Sequence, residues 1–129
     1  MPKLTKLQSD LLREKFTAVC HEAPEDMEFG APHRFEVFRV QHEEDHTCHP
    51  HILAEVNFQK GPIQEDGING IHNEDLIAMV ICRLEHFQKG QFSCRENALA
   101  ITKLEEAMMW LRKRTDARVK RGVEGTSEV

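Results

Sequence analysis

The sequence predicts an α+β fold, with a small antiparallel β-hairpin in the first half of the chain and a two-helix antiparallel hairpin in the second. Two observations carry this: short runs rich in β-branched and aromatic residues around Phe35 and Ile52, and apolar residues recurring every three or four positions after Asn73. A third divides them, because Lys60-Gly61-Pro62 and Asp66-Gly67 interrupt the chain and end the strand region. The chain of 129 residues has the size of one domain. We read 1–129 as a single domain made of an N-terminal helix and linker (1–32), the β-hairpin (33–60), the helical hairpin (73–121) and a tail (122–129).

Taken in order, Leu7, Leu11, Leu12 and Phe16 have helical spacing, which predicts a short amphipathic helix over about Lys6 to Val19. His21 to Pro32 is acidic and broken by Pro24, Gly30 and Pro32, the composition of a linker. Phe35, Val37 and Arg39 alternate with Glu36 and Phe38, and Ile52 to Phe58 forms a second strand that pairs with the first. Gln41 to Pro50 between them is too polar for a core and too long for a two-residue turn, so an exposed loop is expected.

In the second half, Asn73 is placed to cap a helix, Glu74 and Asp75 suit its positive end, and Leu76, Met79, Val80 and Leu84 mark its apolar face up to Lys89-Gly90. A further helix is expected to start near Ser93, with Glu96 closing a capping box. Its face consists of Leu99, Ile101, Leu104, Met108 and Leu111, and Gly122 ends it after Arg121. The short Gly90-Gln91 connection makes the two helices antiparallel neighbours. Aliphatic residues cluster after Asn69 and the N-terminal half is lightly packed, so a core completed by another subunit is expected.

The formal net charge of -5 argues against a binder of long nucleic acids, which needs a broad cationic surface. A ligand with two or three phosphates stays compatible with it, because six of the ten residues from Arg112 to Arg121 are basic and only Asp116 is acidic. The four cysteines show no close pairing, the N-terminus lacks the charged start, apolar run and small-residue cleavage site of a signal peptide, and there is no apolar stretch of about 20 residues to span a bilayer. A cytosolic protein with reduced cysteines is expected.

On a helix, Arg114, Arg118 and Arg121 fall on one narrow stripe. Three permanently charged forks facing one way suit a pyrophosphate or cyclic diester, although cations at a helix end also serve its dipole. Asn97 points with Leu104 and Met108, so its amide either bonds local backbone or reads a ligand's polar edge. Phe87 and Phe92 bracket the inter-helix turn, either as core or as a stacking platform for a base. His42, His46, Cys48, His49 and His51 are dense in metal-ligating types but lack the spacing of a zinc site, and no cofactor is called for. Gly-rich phosphate loop, nucleophile elbow and dinucleotide fingerprint are all missing, so no catalytic residue is assigned.

Gly61-Pro62-Ile63, Gly67-Ile68-Asn69-Gly70, Asn73-Glu74-Asp75-Leu76, Cys94-Arg95-Glu96-Asn97-Ala98-Leu99-Ala100, Arg114-Thr115 and above all Arg121-Gly122-Val123-Glu124-Gly125-Thr126 resemble one known family. This is the phage Thoeris anti-defence sponge family, whose domain is shared with anti-CBASS sponges. The match is dense over the second half, looser over the strand region, and does not extend before Phe35. The resemblance implies a small antiparallel sheet packed on two helices, dimers and in some members hexamers, and residence in the cytoplasm of the infected bacterium. It implies a non-enzymatic protein that sequesters glycocyclic ADP-ribose and, in some members, cyclic di- or trinucleotides. By the same resemblance Phe87 lies against a base, Asn97 makes a polar contact, and Arg114 and Arg118 contact phosphates, with Arg121 beside them on the stripe. The competing readings are an enzyme that degrades the same messengers through the histidines of the His42 to His51 loop, and a zinc- or nucleic-acid-binding regulator.

Overall fold

A computed structural model describes residues 4–40 and 51–129. They separate into two compact units, Met1–Gly61 with Ile68–Gly70 and Pro62–Gly67 with Ile71–Val129. The elements of both classes agree with the expected α+β composition. The expected loop Gln41 to Pro50, with His42, His46, Cys48 and His49, lies outside the described residues.

The first unit is a four-stranded antiparallel sheet of β1 (Leu4–Lys6), β2 (Thr17–Glu22), β3 (Arg34–Arg39) and β4 (Ile52–Asn57), in that spatial order. The pairing of β3 with β4 is the hairpin that the alternating pattern predicts, with an irregularity between Val37 and Phe38. The expected N-terminal helix is not formed. Lys6 ends β1 and Thr17 begins β2, and the expected apolar face is split, with Leu7 and Leu12 half-buried but Leu11 98% and Phe16 71% exposed. Cross-strand pairing decides instead: Ala18, opposite Phe38, shares with Cys20 and Glu22 the buried positions of β2, while Thr17 and Val19 supply β-branched residues at the alternate positions. Ala18, Cys20 and Phe38 form the small core, with Leu4 and Val40 against it.

The supposed linker is also partly ordered structure. Its first residues, His21 and Glu22, complete β2, and Pro24–Asp26 makes one 3₁₀ turn. Phe29 and Gly30 both take positive φ, 54° and 79°, in the tight turn from Glu28 to Ala31. Cys20 is disulfide-bonded, which corrects the expectation of uniformly reduced cysteines; sequence spacing does not report which thiols the fold brings together. Cys82 and Cys94 are free and exposed.

The sheet unit is closed by a clasp. The Asn69 side chain accepts the Lys60 N–H at 2.8 Å and donates to the Lys60 carbonyl at 2.7 Å, while the Asn69 N–H reaches the Gln59 side chain at 3.0 Å. Gly70 lies so close to Phe58 that a Cβ there would stand 2.4 Å from its carbonyl carbon. Only glycine fits this approach.

The second unit contains α1 (Ile63–Asp66), α2 (Asn73–Gln88) and α3 (Arg95–Arg121), with α2 and α3 packed on each other. The half-buried positions of α3 include Asn97, Ile101, Leu104, Met108, Leu111, Thr115 and Arg118, a regular helical stripe. Helix starts differ from expectation by one residue. His72, not Asn73, is the N-cap of α2, because the Asp75 carboxylate is in reach of the His72 N–H at 2.8 Å. Cys94 replaces Ser93 as the N-cap of α3, and the expected box with Glu96 is absent. Gln88 takes over that role, accepting the Cys94 N–H at 2.9 Å and donating to its carbonyl at 3.0 Å. Gly122 ends α3 in the left-handed conformation, as its position predicts.

Glu22 is the one buried charged residue among those described, at 9% exposure. Its carboxylate accepts the backbone N–H of His33 at 3.0 Å and of Arg34 at 2.8 Å. Burial pushes the carboxyl up, but these donors and the neighbouring His33 ring outweigh it and leave its pKa below the ordinary value of 4.5. With the folded value below the unfolded one, the stability from Glu22 is complete above that pH and is lost as pH falls through the folded value. Glu22→Ala is expected to cost about 1–3 kcal/mol at neutral pH by stranding two amides. Glu22→Gln should flatten the acid limb of the melting-temperature profile, and an unchanged limb would remove the carboxylate from this account.

Candidate functional site

The last turns of α3 carry Arg114, Arg118 and Arg121, and Gly122 turns the chain back beside them. The Val123 N–H returns to the Arg118 carbonyl at 3.0 Å. Arg118, half-buried, then holds the returning tail, with Nη2 donating to the carbonyls of Val123 at 3.0 Å and Thr126 at 3.2 Å. Arg121 Nη2 donates to the Val129 carbonyl at 2.7 Å. From the other side α1 grips the same tail: the Gln64 N–H reaches the Gly125 carbonyl at 2.9 Å and its side chain the Glu124 carbonyl at 2.8 Å.

The result is a cleft of about 490 Å³ between the arginine stripe and the tail, lined by Arg114, Arg118, Arg121, Thr126 and Ser127 among others. All three predicted arginines therefore meet in one place, but they differ in their commitments. Arg118 and Arg121 spend part of their donor set on tail carbonyls, whereas Arg114 is exposed and has no hydrogen bond or ion pair among the described residues. A guanidinium has five N–H donors, so Arg118 retains unused ones for a ligand. Arg114 offers its whole fork.

A second hollow of about 330 Å³ shares Arg114 and Arg118 and is completed by Ile63, His72, Glu74, Thr115, Glu124 and Gly125. By sequence Glu74 suits only the helix dipole, and Glu124 and Thr126 stand out in the Arg121 to Thr126 run without a site role. The signal available was the pair Gly122 and Gly125, since two glycines with positive φ within four residues mark a chain that reverses on itself.

Phe87 and Asn97 sit elsewhere. Phe87, in the last turn of α2, meets Phe92 edge-on at 6.1 Å between centroids, and the Arg83 guanidinium lies 5.0 Å from its ring centre. Asn97 Nδ2 donates to the Phe92 carbonyl at 3.3 Å, so one donor serves local backbone and the rest of the amide is uncommitted. Along α3 Asn97 precedes Arg114 by seventeen positions, which at a helical rise of about 1.5 Å per residue is about 25 Å. Within one chain the five candidates thus form two clusters, an aromatic-amide cluster at the start of α3 and an arginine cluster at its end.

No group of three or more potential metal-ligating His, Cys, Asp or Glu side chains occurs among the described residues, and His51 is exposed. No described helix is long and apolar enough to cross a membrane.

The model of the Acb2/Tad1 hairpin domain matches residues 50–116. The chain is also 50% identical over 141 aligned positions to "Thoeris anti-defense 1" of Bacillus phage SBSphiJ7, an alignment that spans 97% of this chain and 99% of that protein.

Because Arg118 is tied to the tail and Arg114 is not, their alanine variants should separate. Arg118→Ala is expected to speed hydrogen exchange at the Gln64 and Thr126 amides by about tenfold, the loss of about 1–1.5 kcal/mol of tail anchoring. Arg114→Ala should leave those amides unchanged. Equal effects of the two variants would contradict the assignment of separate duties.

Proposed function

The chain belongs to the Acb2/Tad1 hairpin family of phage Thoeris anti-defence proteins, and on that premise we propose that it binds a cyclic nucleotide immune messenger and withholds it, uncleaved, from the host's effector. The observation that carries this reading is the unpaired fork of Arg114 opening onto a cleft that Arg118 and Arg121 also line. Convergent guanidinium groups bind phosphate oxygens in pairs, and their charge persists at any physiological pH. We assign glycocyclic ADP-ribose as the messenger, with cyclic di- and trinucleotides as the alternatives that the test below separates. The site of action is the cytoplasm of the infected bacterium.

In this reading the pocket is completed by a second copy. A small cyclic nucleotide does not span the distance of about 25 Å between Asn97 and Arg114 along one helix. A partner hairpin running the opposite way brings its Phe87 and Asn97 to the arginines of the first, so that a base stacks on the ring while phosphates meet the forks. Open apolar side chains support such an association: Leu99, Met109, Trp110 and Val119 on α3 and Met79 and Val80 on α2 are each at least 45% exposed. Neither long helix has a fully buried residue, which leaves their core to be finished by another chain. Sequestration is stoichiometric, so the affinity has to be nanomolar, about -12 kcal/mol, to lower the free messenger below an effector's threshold.

Incubation with glycocyclic ADP-ribose, cyclic dinucleotides and cyclic trinucleotides, followed by denaturation and mass spectrometry, should release the bound compound intact. A linearised product would establish an enzyme instead. Arg114→Ala should weaken binding by about 10- to 100-fold, the loss of a charge-assisted contact, with the melting temperature unchanged. Co-expressed Phe87→Ala and Arg114→Ala chains should recover about a quarter of the wild-type sites, because mixed dimers rebuild one intact composite pocket. No recovery would place both residues in a single chain's site or in none.

A further inference from the structure

The second hollow that Arg114 and Arg118 line combines charges of both signs, because Glu74 and Glu124 share its wall with the two arginines. Glu74 is half-buried in the first turn of α2. Glu124 belongs to the tail and is fixed by its neighbours, since Gln64 binds both its own carbonyl and that of Gly125. Neither carboxylate has an ion pair or hydrogen-bond partner among the described residues, although arginines line the same hollow.

Two free carboxylates beside a phosphate subsite weaken the binding of a bare polyanion, because like charges repel. They are useful to a different ligand. An ionised carboxylate only accepts hydrogen bonds and a guanidinium only donates them, so a molecule that satisfies this wall presents anionic oxygens and hydroxyl donors side by side. A ribose attached to a phosphate does so, and carboxylate recognition of ribose hydroxyls is a general solution in nucleotide sites. From this pairing we infer that Glu74 and Glu124 bind the ribose hydroxyls of the captured ligand and set its specificity against hydroxyl-free phosphates. The inference rests on the capture reading above and adds the part of the ligand that the arginines do not explain. Ile63 supplies an apolar wall for the sugar's carbon face.

The test is calorimetry on the native oligomer with two probes, glycocyclic ADP-ribose and inorganic pyrophosphate, for wild type, Glu74→Gln, Glu124→Gln and the double variant. Glutamine keeps the shape and removes the charge. The messenger is expected to lose about 10- to 50-fold in each single variant and more in the double, by analogy with losing charge-assisted hydrogen bonds. Pyrophosphate affinity should stay equal or rise, so the preference for the messenger collapses. Should Glu74→Gln disturb α2, Glu124→Gln, an exposed position, gives the reading by itself. Parallel loss of both probes, or an unchanged messenger affinity, would overturn the inference while leaving capture standing. Wild-type protein that binds none of the cyclic nucleotides would overturn capture and the ribose assignment together.

Discussion

The Arg118 guanidinium is the interaction on which the candidate site depends. It sits one turn before the helix ends, where Gly122 releases the chain into a left-handed turn, and its Nη2 gathers the carbonyls of Val123 and Thr126. That bond joins the grip of Gln64 and Arg121 on the same tail and holds the tail against the arginine stripe as its opposite wall. With it, Thr126 and Ser127 close one side of a cleft. The arginine also prepares the site electrically, since tail carbonyls occupy part of its donor set and hold the guanidinium in place before any ligand arrives. Arg114, unoccupied, is then the group with the most to gain from a phosphate. A stripe that looks uniform in sequence is divided by the fold into Arg118 and Arg121, which fasten the tail, and Arg114, which has no partner among the described residues.

A second constraint comes from helix length. The 27 residues of α3 keep its two ends far apart, and no bending of a regular helix brings Asn97 to Arg114. The same length gives the helix two apolar stripes, one packed on α2 and one open with Leu99, Met109 and Trp110. In the proposed capture these facts have one solution: a second hairpin, laid antiparallel, covers the open stripe and delivers the missing half of the pocket. Assembly and ligand binding then draw on the same surface, so the protein has no complete pocket until it has a partner. Ligand binding stabilises the assembly in return, by mass action.

The helical half was legible because its signals are side-chain signals. Periodicity over sixteen or more residues, a breaker at Gly90 and a stop at Gly122 leave few alternatives, and α2 and α3 fall within a residue or two of expectation. The β3 and β4 pairing was legible for the same reason. The N-terminal strands were not. The inward positions of β2 are Ala18, Cys20 and Glu22, one small, one sulfur-bearing and one charged, so its alternation does not register as hydrophobic, whereas Leu7, Leu11, Leu12 and Phe16 imitate a helix by spacing alone. The caps shifted because backbone geometry, not the preferred residue type, chose His72 and Cys94. At the site, the arginine stripe was visible as charge at helical spacing. The tail's contribution was not, because it acts through main-chain carbonyls, which every residue carries and no sequence pattern distinguishes.

The overall charge of the chain fits this division of labour. A net charge of -5 repels long polyanions at a distance, while screening confines the arginine cluster's attraction to roughly a Debye length of about 8–10 Å. A ligand short enough to lie wholly inside that range escapes most of the acidic remainder of the chain, and a polymer does not. In the inferred ribose contact, Glu74 and Glu124 continue the same selection at contact distance, where repulsion of a bare phosphate is set against attraction to a hydroxyl. In the proposed capture, selectivity is therefore built from opposition at two scales, with the anionic residues setting against bare phosphates what the arginines attract.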